Sequence, residues 1–195
     1  TDDEVTTWTD RLAGGTTPAA LARTLADGRE GRAVELARTY RSALGREPDG
    51  AGLDHWLGRV ASGTTFRQVT AAVHGSPESY ARAGGTDEGF VDALFRRLLG
   101  RDAEDGARAF WSAEVPRVGR TRVAARILGT SEARGVRVDS LYARFLDRSA
   151  DPAGREYWAS RLSTLDDLRV AVVLASGGEA LARAERGCDE PTGPP

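Results

Sequence analysis

Residues 40–56 read Tyr-Arg-Ser-Ala-Leu-Gly-Arg-Glu-Pro-Asp-Gly-Ala-Gly-Leu-Asp-His-Trp, and residues 142–158 read Tyr-Ala-Arg-Phe-Leu-Asp-Arg-Ser-Ala-Asp-Pro-Ala-Gly-Arg-Glu-Tyr-Trp. Both segments begin with an aromatic residue, place Leu four and Arg six residues after it, and end in a Trp seven residues after an acid. Residues 95–111 repeat the arrangement, from Phe95 to Trp111. Three copies of one arrangement indicate a tandem repeat.

The tryptophans give the period of this repeat. Trp8, Trp56, Trp111 and Trp158 are separated by 48, 55 and 47 residues. An aliphatic residue follows each Trp by four positions, and each copy closes near a small polar residue and an acid. The sequence therefore predicts a unit of about fifty residues in four diverged copies.

Each unit is predicted to contain three helices, called A, B and C. Helix A carries apolar residues at helical spacing and ends at Gly45 or Gly100, because glycine adopts the left-handed backbone at little cost. Helix B begins at the aligned acid, most clearly at Asp151, where a carboxylate caps the free amides. No stretch alternates with period two for long, so the predicted fold class is all-α. Helix C is expected to begin at Thr17-Pro18, at Thr65-Phe66-Arg67-Gln68 and at Thr164-Leu165-Asp166-Asp167.

The units divide the chain and are expected to stack into one elongated or compact helical domain. Trp8 lies only seven residues from the start, so the first copy lacks helix A, and we expect residues upstream or another copy, chain or domain to complete it. Gly84-Gly85 is the best candidate for a hinge between the halves. The predicted parts are a partial first repeat with helices B and C (1–30), a second repeat (31–85), a third (86–135), a fourth (136–186) and a disordered tail (187–195).

Composition argues against several kinds of partner and site. The net charge is −2, which provides no overall field to attract nucleic acid or an anionic membrane. No apolar run approaches the roughly 20 residues that span a bilayer. Cys188 is the only cysteine, so an intrachain disulfide and a cysteine-based zinc site are excluded. All 27 cationic residues are arginine, which a G/C-rich bacterial genome explains.

The two quoted segments resemble the bacterial domain of unknown function 4214 family, whose signature runs aromatic, Leu-Gly-Arg, Pro-Asp, Gly-Leu, Tyr-Trp, then Ser and Glu. The resemblance spans about residues 33–183 and is loosest in the middle copy, where Ala107 replaces the Gly found at Gly52 and Gly154. It implies an all-helical fold, distantly similar to phycobilisome linker domains, in bacterial secreted or surface-associated proteins, often beside calcium-binding repeats. It supplies no catalytic residue.

Two repeated residue types have both a structural and a functional interpretation. The tryptophans lie on apolar helical stripes and are interpreted as buried core anchors, with an exposed aromatic ladder for sugars or peptides as the alternative. The aligned acids Asp49, Glu104 and Asp151 are interpreted as helix caps. Calcium binding is their alternative, although no Asp-x-Asp-x-Asp-Gly order surrounds them.

One local cluster of cations is a candidate surface for an anionic partner. Arg117, Arg120, Arg122 and Arg126 form it, and Arg134 and Arg137 continue it along the chain. Guanidinium groups bind acidic polymers or carboxylates through paired hydrogen bonds. A solvated helix face is the alternative interpretation, and the absence of interleaved aromatic residues argues against nucleic acid.

No catalytic or cofactor motif is apparent. His55 occupies the slot of Phe110 and Tyr157 in other copies, so it is interpreted as a substituted aromatic rather than a catalytic base. We therefore expect a non-catalytic interaction or scaffold module of the bacterial envelope or exterior, with a protein or glycan partner and no cofactor. The alternatives are a calcium- or glycan-binding module, or an enzyme whose site lies in a groove between repeats.

Overall fold

The computed structural model describes residues 2–189, and every regular element in that range is a helix. The predicted all-α repeat fold is confirmed. In chain order the helices are α1 (Asp2–Ala13), α2 (Pro18–Asp27), α3 (Arg29–Leu44), α4 (Gly50–Ala61), α5 (Phe66–His74), α6 (Pro77–Arg82), α7 (Asp87–Leu99), α8 (Asp105–Val118), α9 (Arg120–Leu128), α10 (Ser131–Leu146), α11 (Pro152–Arg161), α12 (Asp167–Ala175) and α13 (Gly178–Asp189).

The helices begin where the sequence supplies caps. Asp49 Oδ1 accepts a hydrogen bond from the Gly52 amide at 2.7 Å at the start of α4. Asp151 accepts one from the Gly154 amide at 2.9 Å at the start of α11. At α5, Thr65 forms a reciprocal capping box with a glutamine in the first turn. These side chains satisfy amides that have no partner within their own helix.

The three complete helices A end in the same backbone conformation. Gly45, Gly100 and Asp147 have φ angles of 64°, 69° and 56° and follow α3, α7 and α10. Asp147 is the only non-glycine residue with positive φ in the described part of the chain. A short polar side chain tolerates this region better than most, which explains why Asp replaces Gly in the last unit.

The junctions between units differ in one respect. The turn expected at Ser76-Pro77-Glu78 forms α6, and Gly84 and Gly85, with φ of 94° and 69°, separate it from α7. At the other two junctions the corresponding turn is continuous with helix A, so α3 and α10 each extend over 16 residues. The one interruption thus coincides with the glycine pair expected between the halves.

The helices C pair across the molecule and close the units into a ring. α5 of the second unit packs along α9 of the third, and α12 of the fourth packs along α2 of the first. Arg169 pairs with Asp27 at 3.2 Å and Arg144 with Glu35 at 3.4 Å, which joins the last unit to the first two. The domain is therefore compact, and helices A and C surround its centre.

Buried apolar residues, most of them from helices A and C, form three core clusters, each centred on one complete unit. Trp56, Trp111 and Trp158 each pack against one of these clusters, yet all three remain partly exposed. The indoles therefore contact the core, as the interpretation of them as core anchors expects, but they are not fully buried. Among the described residues, Trp8 joins none of the clusters, and Arg11 lies 4.6 Å from its ring centroid.

Within residues 2–189, no helix combines the length and apolar character needed to cross a bilayer. The expected tail at 187–195 starts inside the last helix, since α13 continues to Asp189. Residues 190–195 lie outside the described part of the chain.

Candidate functional site

The signature arginine, six residues after the aromatic, has the same contacts in three units. Arg46 donates from Nε and Nη2 to the two carboxylate oxygens of Glu78, at 2.8 and 2.7 Å. Its guanidinium lies 5.4 Å from the centroid of the Tyr40 ring. We call Arg46, Arg101 and Arg148 the frame arginines. Their acid partners are Glu78, Glu132 and Glu179, and their rings are Tyr40, Phe95 and Tyr142.

The frame arginines have a structural role. The hydrogen bond from Arg46 lowers the pKa of Glu78 to about 2, because it stabilises the ionised carboxylate. The equivalent bonds lower the pKa of Glu132 and of Glu179. These side chains are 36–50% exposed, so each pair contributes little free energy. The paired hydrogen bonds instead fix the end of each helix A against the acid that closes the same unit.

The signature glycine after the acid is explained by the tyrosine hydroxyl. A Cβ atom at Gly52 would lie 3.1 Å from Tyr40 Oη, and one at Gly154 would lie 2.8 Å from Tyr142 Oη. The third unit has Phe95, which lacks the hydroxyl, and there the aligned residue is Ala107. In the third unit, loss of the tyrosine hydroxyl thus accompanies gain of the alanine methyl group. The two exchanges together explain why the middle copy departs from the family pattern at this position.

Replacing Gly154 with Ala should lower the free energy of unfolding by about 1–2 kcal/mol, because the Tyr142 hydroxyl must move to admit the methyl group. Adding Tyr142→Phe should recover most of that loss, since it recreates the pair of the third unit. Urea denaturation of both single variants and the double variant measures this coupling. A double variant no more stable than Gly154→Ala would show that the hydroxyl is not the cause.

The three acids considered for calcium lie at the starts of three different helices. Asp49 and Asp151 cap α4 and α11, and the amide of Gly154 lowers the pKa of Asp151. Glu104 precedes α8 without a side-chain cap bond. No group of three or more His, Cys, Asp or Glu side chains that could hold a metal occurs among the described residues.

The members of the predicted cation cluster have different surroundings. Glu114 is buried and accepts hydrogen bonds from Arg117 and Arg126, both at 2.6 Å. Arg120 lies 4.6 Å from the centroid of the Tyr80 ring, and Arg122 is exposed. Arg117 and Arg126 share the single carboxylate of Glu114, which offsets one of their two positive charges, and the patch for an anionic partner stays a prediction.

His55 is exposed and contacts the edge of the neighbouring indole. Its ring centroid lies 5.0 Å from that of Trp56. Phe110 with Trp111 and Tyr157 with Trp158 have the same edge-to-face geometry, at 5.1 and 5.0 Å. His55 therefore has the contacts of the aromatic residues that occupy its slot in the other copies.

A polar cavity of about 250 Å³ lies where helices A and C of three units meet. We call it the central cavity. The position two residues after the signature aromatic lines it in all three units, as Ser42, Arg97 and Arg144. Closure of the ring thus brings equivalent positions of different copies together. The other charged or ionisable lining residues are Glu35, Arg38, Arg67, His74, Arg137 and Asp167.

The cavity contains partly matched charges in a buried setting. Arg137 Nη1 donates to Asp167 Oδ1 at 2.8 Å. Burial raises the pKa of Asp167 to about 6, although Arg137 acts in the opposite direction. Burial, followed by repulsion from Arg97, lowers the pKa of His74 to about 4. At neutral pH the imidazole is therefore neutral beside several guanidinium groups.

Sequence reasoning did not predict this cavity. Of its lining residues, only Arg137 belongs to the predicted cation stretch. A usable signal existed in helix A, where Arg137, Ser140 and Arg144 lie at i, i+3 and i+7 on one helical face. That polar stripe faces the centre of the ring.

The comparisons with known proteins agree with the repeat architecture. The family model described as "Domain of unknown function (DUF4214)" matches residues 36–83 and 124–177, slightly more than half of the chain. The matched ranges cover most of the second and fourth units, and the diverged third unit lies largely outside them. No curated protein matches the chain significantly. On the strength of these two matches, the chain belongs to the DUF4214 family, as tandem helical repeats of that domain.

Proposed function

We propose that this chain is a non-catalytic interaction or scaffold module of the bacterial cell surface or exterior, and that it binds its partner through the central cavity. The location rests on the family resemblance described above. The binding role is supported by one observation: the repeated residues hold the frame, whereas residues that differ between copies converge on the cavity.

The division between frame and cavity is clear at equivalent positions of helix A. Arg46 and Arg148 keep their identity and their glutamate partner. Two residues after the aromatic, by contrast, Ser42 in one copy becomes Arg97 and Arg144 in the others. A position that varies in type but always faces one cavity sets what that cavity can bind. A polar, positively charged cavity favours an acidic group on a protein or glycan.

Binding rather than catalysis is favoured by the surroundings of His74, a buried imidazole in the lining of the cavity. Its Nδ1 has no hydrogen-bond partner among the residues that the structure describes. Activation of a nucleophile requires a hydrogen bond between base and hydroxyl or thiol. The chemistry supported by this lining is recognition of an acidic group.

An array of acidic and neutral bacterial glycans, probed with the purified chain, tests the proposal. We expect saturable binding to acidic members, loss of that binding in Arg144→Gln, and recovery of the bound glycan with unchanged mass. Arg59→Gln is the matched control, since it removes an exposed charge that lies outside both the cavity and the predicted cation cluster. A glycan recovered cleaved or modified would instead favour an enzyme between the repeats.

Calcium is not required by this proposal, because Asp49, Glu104 and Asp151 lie in different units. We expect the thermal midpoint to be the same with added calcium and with a chelator. Any ligand selective for the folded state raises that midpoint. A rise with calcium that the chelator reverses would restore the calcium-binding alternative.

A further inference from the structure

We propose that an exposed apolar face of the first unit binds an amphipathic helix of the helix A type, supplied by a partner polypeptide. α1 and α2 correspond to helices B and C of the other units, and the described residues include no helix A that belongs with them. This face is separate from the central cavity, since no residue of α1 or α2 lines the cavity.

Apolar residues of the first unit are exposed at positions that are covered in the complete units. Leu12 is 42% exposed, whereas Val115 and Leu162, which also follow their Trp by four positions, are 6% and 1% exposed. Leu25 is 47% exposed, and its aligned residues in the three complete units are all buried, namely Val73, Ile127 and Leu174. The first unit therefore has the apolar residues of the repeat without their cover.

Helix A provides that cover in the complete units. There α3 packs on α4 and α5, α7 on α8 and α9, and α10 on α11 and α12. In the first unit, Val5, Trp8 and Leu12 lie at i, i+3 and i+7 on α1, and Leu21 and Leu25 lie at i and i+4 on α2. We call these five residues the open face. Their aligned positions are those at which helices B and C elsewhere meet helix A.

One unpaired acid shows which charge the missing helix carries. Glu30 follows Trp8 by 22 residues, just as Glu78 follows Trp56. In each complete unit the acid at this position binds a frame arginine. Glu30 is exposed and forms no ion pair with any residue in the described part of the chain. A helix with arginine six residues after its aromatic would supply the matching charge.

Val5 distinguishes between the possible kinds of helix A. The aligned pairs in the complete units are Leu53 with Ala37, Arg108 with Asp92 and Arg155 with Asp139. Both Arg-Asp pairs are ion pairs at 2.8 Å, in which helix B contacts the residue three positions before the aromatic. Because Val5 is apolar like Leu53, the partner helix should have an apolar residue at that position. Its pattern is therefore that of α3.

A second copy of the chain does not offer this helix. In each copy, α3, α7 and α10 are packed on helices B and C of their own units. α13 begins where a further helix A would begin, but it contains no aromatic residue. It also places the exposed Glu185 at the position of Leu36 and Val138, which are buried in α3 and α10. The occupant is therefore a different polypeptide that carries the α3 pattern.

The test titrates the full chain with a synthetic peptide of residues 28–48, which contains the α3 pattern and its frame arginine. We expect saturable one-to-one binding by isothermal titration calorimetry. The same peptide with Tyr40→Ala and Leu44→Ala should not bind, because it lacks the side chains that helix A buries. A peptide of residues 130–149 should bind about tenfold more weakly, since Asp139 would meet Val5 without an arginine partner.

Variants of the chain locate the peptide on the open face. Leu12→Ala and Leu25→Ala should each weaken binding about tenfold, because less apolar area is buried. Leu165→Ala is the matched control, since Leu165 is 41% exposed and lies outside the open face. Urea denaturation shows that each variant is folded before titration. Glycan binding by Leu25→Ala should equal that of wild type, which separates this face from the central cavity.

A double-mutant cycle tests the register of the bound helix. Glu30→Gln in the chain and Arg46→Gln in the peptide should each weaken binding about threefold, as expected for one exposed ion pair. The two changes together should weaken it no more than either alone, because the same pair is lost. Independent, multiplying effects would show that the arginine does not meet Glu30, and would overturn the proposed register.

Three results would overturn the proposal as a whole. One is equal affinity for the peptide of residues 28–48 and for its double-alanine form, and another is equal affinity of Leu25→Ala and Leu165→Ala for that peptide. The third concerns the chain alone, which should sediment as a monomer. A dimer that Leu25→Ala dissociates would mean that a second copy, rather than a partner helix, covers the open face.

Discussion

Replacing Gly75 with Ala is expected to lower the free energy of unfolding by about 3 kcal/mol, near the upper end of overpacking losses. Gly75 caps the end of α5, which packs along α9. A Cβ there would lie 2.5 Å from the Cα and 2.6 Å from the amide nitrogen of Thr121. Both contacts are with backbone atoms, so the two helices must separate. The thermal midpoint should fall by roughly 6–12 °C.

Gly58→Ala is the matched control for this prediction. Gly58 lies within α4, and a Cβ there would meet no atom of the described residues within 4 Å. Because Ala favours a helix over Gly by about 1 kcal/mol, the control should be neutral or slightly stabilising. Differential scanning calorimetry of both variants measures the contrast. Equal midpoints for the two variants would mean that the crossing of α5 and α9 does not depend on a bare glycine.

This crossing connects the repeat to the cavity. His74 immediately precedes Gly75, so the approach of α5 to α9 also determines where the imidazole lies. The ring of units depends on such pairings of helices C, since α5 with α9 and α2 with α12 join different copies. The close approach of α5 and α9 therefore encloses the His74 side chain at the centre of the domain.

Much of the fold could be predicted from single residues, because the physics is local. Asp151 caps a helix wherever it precedes one, and Gly100 ends a helix in the left-handed conformation regardless of the rest of the chain. The repeat period followed from the tryptophans alone. Ring closure could not be predicted in this way, since it depends on contacts such as Arg169 with Asp27, which are 142 residues apart.

The candidate site was harder to predict for a related reason. Each unit contributes one or two polar residues to the central cavity, and in its own helix each residue resembles a solvated surface position. Only the assembled ring brings Arg97 beside His74. The predicted cation stretch shows the opposite relation, because its members are neighbours in sequence that diverge in space. Arg126 turns to Glu114, whereas Arg137 enters the cavity.

His74 and Asp167 are expected to make opposite contributions to the pH dependence of stability. The pKa of His74 falls on folding from 6.5 to about 4, so its contribution is complete above pH 6.5 and is lost as the pH falls through about 4. The pKa of Asp167 rises from 3.8 to about 6, so its contribution is complete below pH 3.8 and is lost as the pH rises through about 6. Each amounts to about 3 kcal/mol, and in the wild type they largely cancel.

Two variants separate these contributions. On acidification from neutral pH to about pH 4, the free energy of unfolding of Asp167→Asn should fall by about 3 kcal/mol relative to wild type. The unfavourable protonation of His74 is then no longer offset by the favourable protonation of Asp167. The free energy of unfolding of His74→Gln should rise by about the same amount relative to wild type, because the favourable protonation of Asp167 is then no longer opposed by His74. Urea denaturation across this range measures both differences, and carboxylates common to all three proteins drop out of the comparison. Parallel pH profiles of the free energy of unfolding for wild type and variants would contradict the prediction. They would mean that water reaches both side chains freely, so that the cavity is an open part of the surface.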